Sequence, residues 1–69
     1  QMSGTTYKKI EIVGTSPNSY AEATANGIAK AAESVHGMSW FEVVEQRGAI
    51  VDGRVKEYQV TLRIGFKVD

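Results

Sequence analysis

Arg54–Val68 alternates almost without fault, and no other feature of this chain restricts its fold so tightly. The even positions are Tyr58, Val60, Leu62, Ile64, Phe66 and Val68. The odd positions are Glu57, Gln59, Thr61, Arg63, Gly65 and Lys67. A period of two marks a strand with one buried face. Slipping it by one residue would exchange its faces, so the register is strongly specified. Asp52-Gly53 stands just before it. That dipeptide suits a two-residue hairpin turn whose central residues take positive φ. A long strand over Ser39–Val51 is therefore expected to enter the turn and return as Arg54–Val68.

Upstream, Tyr7–Val13 reads as a strand with Lys8, Ile10 and Ile12 on one face and Lys9 and Glu11 on the other. Gly14-Thr15-Ser16-Pro17 is expected to stop it. Ser16 can cap free N–H groups, and Pro17 suits a first helical position. The helix is expected to reach about Val35, with Tyr20, Ala23, Thr24, Gly27, Ile28, Ala31 and Val35 inward. Most of these are small, which allows close approach to a sheet. Gly37 is a left-handed stop after it. The fold class is α+β, in the order β-α-β-β: a three-stranded antiparallel sheet packed on one helix. Residues 6–69 form a single domain behind a loose tail, 1–5, in which Gln1 reads as a vector remnant before Met2.

A chain of 69 residues buries only about 60% of its unfolded surface and usually needs a further stabiliser. It has no cysteine, which excludes disulfides and thiolate zinc sites, and its single histidine, His36, excludes a histidine-rich metal site. Oligomerisation is left. Eight basic and eight acidic residues cancel, so the basic excess of a nucleic-acid binder is missing. No apolar run approaches the ~20 residues of a membrane span, and no signal peptide is evident. The expected setting is cytoplasmic. No nucleophile–base pair, carboxylate dyad or metal set is present, so the chain does not read as an enzyme.

Extending the hairpin from Val51 opposite Arg54 pairs Phe41 with Ile64 and Val43 with Leu62 on the helix side. The open face then pairs Trp40 with Gly65, Glu42 with Arg63 as an ion pair, Val44 with Thr61 and Gln46 with Gln59. Glu45 and Arg47 fall on the helix side near the hairpin end, where they either extend past the helix or pair with a neighbour, and a β-bulge would shift the far pairs. Gly65 leaves a shelf beside the indole that suits a planar aromatic ligand. Trp40 and Gln59 lie about 15–20 Å apart along the hairpin. A flat ligand touching both would take them from different subunits. Two readings stay open: Trp40 walls a ligand site, or it anchors a protein partner on the open sheet face. Gln59 is either a ligand contact or an ordinary cross-strand residue.

The chain resembles the dodecins, small flavin-binding proteins. The resemblance rests on Tyr7-Lys8-Lys9-Ile10-Glu11-Ile12-Val13-Gly14-Thr15-Ser16, Trp40-Phe41-Glu42-Val43, Arg47-Gly48, and Tyr58-Gln59-Val60 leading to Gly65-Phe66. It implies a hollow homo-dodecamer binding paired flavins at two-fold interfaces. It further implies that Trp40 stacks on the isoalloxazine and Gln59 hydrogen-bonds its polar edge. Arg47 matches an arginine of bacterial members that helps hold the flavin phosphate. With the neutral net charge, it favours FMN over riboflavin. Lys67 matches a basic position that contributes to coenzyme A binding in some members, here as a point charge instead of an arginine fork. The implied role is flavin storage and sequestration, with quenching of flavin photochemistry by the stacked indole. A flavin-dependent enzyme would instead need an open substrate path to the ring, which paired stacking denies.

Overall fold

A computed structural model describes residues 4–68. Gln1 and most of the expected tail thus lie outside the described residues. The elements are β1 (Thr6–Ser16), α1 (Tyr20–Ala31), β2 (Met38–Val51) and β3 (Arg54–Val68). They form one antiparallel sheet in the order β1-β3-β2, with α1 on one face, as the alternation of β3 requires. Asp52 and Gly53 both take positive φ, 53° and 72°, and close the β2–β3 hairpin in the expected two-residue turn.

The Gly14-Thr15-Ser16 segment does not stop β1. It continues pairing, with Gly14 opposite Val60, Thr15 opposite Gln59 and Ser16 opposite Tyr58. Gly14 is needed for approach rather than for a turn. A Cβ there would collide with the Ala23 carbonyl oxygen and come within 3.0 Å of the Gly27 Cα. The helix therefore rests directly on the β1 backbone. Its cap is Ser19, not Ser16: the Ser19 Oγ accepts from the Glu22 N–H at 3.0 Å. Ser16 is buried, accepts from the Asn18 N–H at 2.9 Å, and donates to Glu22 Oε2 at 2.6 Å. Pro17 sits in the bend ahead of the helix. The helix also ends early, at Ala31, and unwinds through turn bonds such as Glu33 N–H to Lys30 O at 3.2 Å. Gly37, at φ 75°, shapes the entry to β2 instead of ending the helix.

The expected inward stripe of α1 does face the sheet: Ala23 and Gly27 are buried, and Tyr20, Thr24, Ile28, Ala31 and Val35 are partly so. Tyr20, Ala23 and Ile28 pack on Val60 and Leu62, which with Ile64 are the fully buried apolar side chains of β3. The helix packs mainly on β1 and β3 and leaves most of β2 uncovered. Phe41 and Val43 thus lie on the helix-side face yet are each 48% exposed, against the expectation of a covered pair. The hairpin outruns the helix in a body of 60 × 20 × 13 Å, leaving Ile50 and Val55 at its tip exposed.

Candidate functional site

The open face is built by odd-numbered residues of β1 and β3 and their neighbours on β2. Trp40 stands opposite Gly65, as the turn register requires. The indole does not stand beside an empty shelf; it fills that space. A Cβ on Gly65 would collide with Cε2, Cζ2 and Cη2 of Trp40, so the six-membered ring lies over the bare glycine backbone. Tyr7 abuts it edge-on, with ring centroids 4.9 Å apart and planes at 65°. That geometry suits the aromatic quadrupoles. Trp40 nevertheless remains 39% exposed. The result is a platform: an indole held from below by a glycine and from one side by a tyrosine.

Glu42 does face Arg63 in register, but the two do not pair with each other. Lys9 of β1 lies opposite Gly65, and Glu42 stands next to Trp40 on β2, so the two meet diagonally across β3 beside the indole. The Lys9 Nζ reaches Glu42 Oε1 at 2.6 Å, and Arg63 Nε turns the other way to Glu11 Oε1 at 3.0 Å. The hydrogen bond from Lys9 holds the Glu42 carboxyl below its ordinary range, with desolvation opposing and the charges of Lys9 and Arg63 assisting. The Trp40 end of the face is thus aromatic, with its charges paired in a ladder alongside. Lys67, exposed and opposite Tyr7, belongs to the same end.

The other end differs from expectation. Val44 is an extra residue in β2 and Lys56 an extra residue in β3. These bulges have opposite senses. The far pairs, Trp40 with Gly65 and Phe41 with Ile64, keep their expected register, but the stretch between shifts by one. Gln59 therefore opposes Arg47 instead of Gln46, and Thr61 opposes Glu45 instead of Val44. Glu45 and Arg47 move from the helix side to the open face. Arg47 Nε donates to Gln59 Oε1 at 2.7 Å, and Arg47 Nη1 to Glu45 Oε1 at 3.1 Å. Gln59 Nε2 donates to Glu57 Oε1 at 2.9 Å. Arg47 and Gln59 are thus brought into contact, with Glu45, which the sequence had set beside Arg47 on the wrong face, and with Glu57, to which it gave no role.

Trp40 and Gln59 are not brought together within one chain. Gly65, beneath the indole, is six positions from Gln59 along an uninterrupted stretch of β3 (65 − 59), or about 20 Å at strand rise. A shallow hollow of about 230 Å³ opens at the β2 edge, lined by Ile28, Met38, Ser39, Trp40, Phe41 and Ile64. Among the described residues, no group of three or more His, Cys, Asp or Glu side chains is placed to hold a metal. None of the described helices is long and apolar enough to cross a membrane.

Comparison with known proteins adds to this geometry. Residues 6–69 match a family model described as Dodecin. A dodecin of Thermus thermophilus is 44% identical over 66 residues, covering 96% of each chain. The structure of a dodecin from Streptomyces davaonensis superposes with a TM-score of 0.93 at 46% identity, covering 97% of this chain and 98% of that one. A protein of Mycobacterium tuberculosis named calcium dodecin is 36% identical over 62 residues, covering 90% of this chain and 87% of its own.

Proposed function

This chain belongs to the dodecin family, and on that premise we propose that it is a non-enzymatic, cytoplasmic flavin carrier that stores and sequesters FMN. The observation that carries the reading is the Trp40 indole, laid over Gly65, propped by Tyr7 and still exposed. A fixed planar platform facing solvent is what an isoalloxazine ring stacks on. The same indole can donate an electron to a photoexcited flavin and recover it, quenching fluorescence without net reaction.

Gln59 would hydrogen-bond the pyrimidine edge of the ring. The separation of about 20 Å along β3 means that one flavin touching both residues would take Trp40 from one subunit and Gln59 from another. The site would then exist only in a homo-oligomer, here proposed as the dodecamer. The bare apolar surface of Phe41 and Val43 supports such an assembly. Arg47 spends two of its N–H groups on Gln59 and Glu45. A guanidinium carries five donors, so others remain for the FMN phosphate. Lys67, at the indole end, would serve a coenzyme A phosphate as a second ligand.

The test is a fluorescence titration of FMN with the apo-protein, with the particle mass measured on the same sample. The expected result is quenching that saturates near one flavin per chain on a particle of roughly a dozen chains, as the interface site requires. A colourless monomer that leaves FMN fluorescence untouched would instead make Trp40 a docking residue for a protein partner.

A further inference from the structure

Glu57 plays no part in the reading above, yet it holds one end of the Gln59 amide. We infer that Glu57 is a positioning residue: together with Arg47 it locks the polarity of the Gln59 amide, and so determines which ligand edge the site accepts. The inference rests on the assignment of Gln59 to the flavin.

A glutamine amide is nearly symmetric in shape. Its oxygen and nitrogen exchange places by a half-turn, and only the surrounding partners decide between the two states. Here both partners are one-sided. Arg47 can only donate, and it donates to Gln59 Oε1 at 2.7 Å. An ionised Glu57 can only accept, and it accepts from Gln59 Nε2 at 2.9 Å. A half-turn would set the NH₂ against the guanidinium and the carbonyl against the carboxylate. Two charge-assisted bonds would become two repulsive contacts. The two clamps come from different places in the chain. Arg47 projects from β2 directly opposite Gln59, and Glu57 lies two residues back along β3 on the same face.

After these bonds, Gln59 retains one oxygen lone pair on the Arg47 side and one N–H on the Glu57 side. It therefore presents an acceptor and a donor in a fixed order. The complementary ligand edge is an N–H beside a C=O in the matching order, which is an imide edge such as the pyrimidine side of a flavin. An edge with a blocked N–H leaves the Gln59 oxygen unpaired, and a half-turn would not restore the bond, because it sets the amide oxygen against the ligand carbonyl. The clamps act by holding the oxygen where an N–H can reach it, so only a ligand that carries the N–H gains from them. Without Glu57 the amide is clamped at one end only.

The experiment titrates riboflavin and N3-methylriboflavin into the assembled protein, its Glu57→Gln variant and the Arg47→Gln/Glu57→Gln double variant. Riboflavin lacks the phosphate, so the phosphate role of Arg47 does not enter. Any clash of the added methyl is common to all three proteins and cancels. The native protein is expected to favour riboflavin by about tenfold, the scale of one hydrogen bond. That preference should fall about threefold in Glu57→Gln and further in the double variant. An equal preference in all three proteins would overturn the inference. A second reading needs no ligand: solvent exchange of the Gln59 Nε2 protons by NMR, with the signals assigned by their loss in Gln59→Leu. Exchange should quicken about threefold or more in Glu57→Gln as the carboxylate clamp is lost. An unchanged rate would overturn the clamp whether or not flavin binds. Absence of riboflavin binding would sink the flavin assignment alone, and the exchange rate would still decide the role of Glu57.

Discussion

The two ends of the open sheet face solve different problems with the same strands. At one end, Gly65 removes a side chain so that Trp40 can lie on the sheet, and the neighbouring charges pair off as Lys9 with Glu42 and Arg63 with Glu11. At the other, a bulge at Val44 turns Glu45 and Arg47 onto the face, where they join Gln59 and Glu57 in one hydrogen-bonded chain. The first end offers area and polarisability; the second offers direction. A flat ligand with one polar edge needs both, and a single chain holds them about 20 Å apart. The contrast argues for a site assembled between subunits, with the indole carrying most of the affinity and the amide the selectivity.

Removing the indole should break this contrast most severely. Trp40→Ala is expected to weaken FMN binding by ~2 kcal/mol, about 30-fold, from the lost stacking. Affinity within a factor of about three of the native protein, below the cost of one stacked ring, would show that the aromatic end is not the wall. Gly65→Ala attacks the same end from beneath. Its methyl would occupy the space of the indole ring and force Trp40 off the sheet. Such overpacking typically costs ~1–3 kcal/mol. The loss should show as a reduced Tyr7–Trp40 signal in near-ultraviolet circular dichroism together with weaker flavin quenching. An unchanged aromatic spectrum would mean that the platform does not depend on Gly65.

Much of this arrangement was legible in the residue pattern, and the part that was not has an identifiable cause. The alternation of β3 located the core at Val60, Leu62 and Ile64, and Asp52-Gly53 placed Trp40 opposite Gly65 correctly. The bulge at Val44 was hidden because Val43 and Val44 are both apolar, so either could continue the buried row. The indirect sign was Glu45 and Arg47: a straight strand put two charges on the helix side, and one extra residue removes that conflict. The Ser19 cap was also readable, since Ser19 and Glu22 have the capping spacing. Ser16 drew attention away from it because Pro17 follows. That β2 lies largely uncovered could not be read from periodicity, which tells which face of a strand is apolar but not which strands a short helix covers.

The polar end should respond more gently. Gln59→Ala removes one directional contact and leaves the platform intact. The expected loss of FMN affinity is ~1 kcal/mol, about fivefold, smaller than for Trp40→Ala. Discrimination between flavins altered at the pyrimidine edge should narrow at the same time. If Gln59→Ala costs more than Trp40→Ala, the division of labour between the two ends is reversed. If selectivity does not change, the amide is a structural cross-strand residue.

The smallest expected effect concerns the charge ladder beside the indole. The carboxyl of Glu42 is held below its ordinary range, chiefly by the hydrogen bond from Lys9. A carboxylate whose folded value is depressed adds stability above its unfolded pKa of about 4.3, and that stability is lost as pH falls through the lower folded value. Glu22, lowered by its bonds from Ser16 and then Asn18, acts in the same direction at the helix start. Both partners of the Lys9–Glu42 pair are nearly half exposed, at 46% and 45%, so water screens much of the attraction. Glu42→Gln should therefore be slightly less stable than the native protein at neutral pH in urea unfolding. The gap should close as pH falls from the unfolded value through the lower folded one and the native carboxylate is protonated. Glu22 remains in both proteins, so a shared loss of stability in acid would persist and only the difference between them reports on Glu42. A gap that stays constant from neutral to acid pH would mean that the substitution acts through packing beside Trp40, and that the ion pair contributes nothing to holding the aromatic end in place.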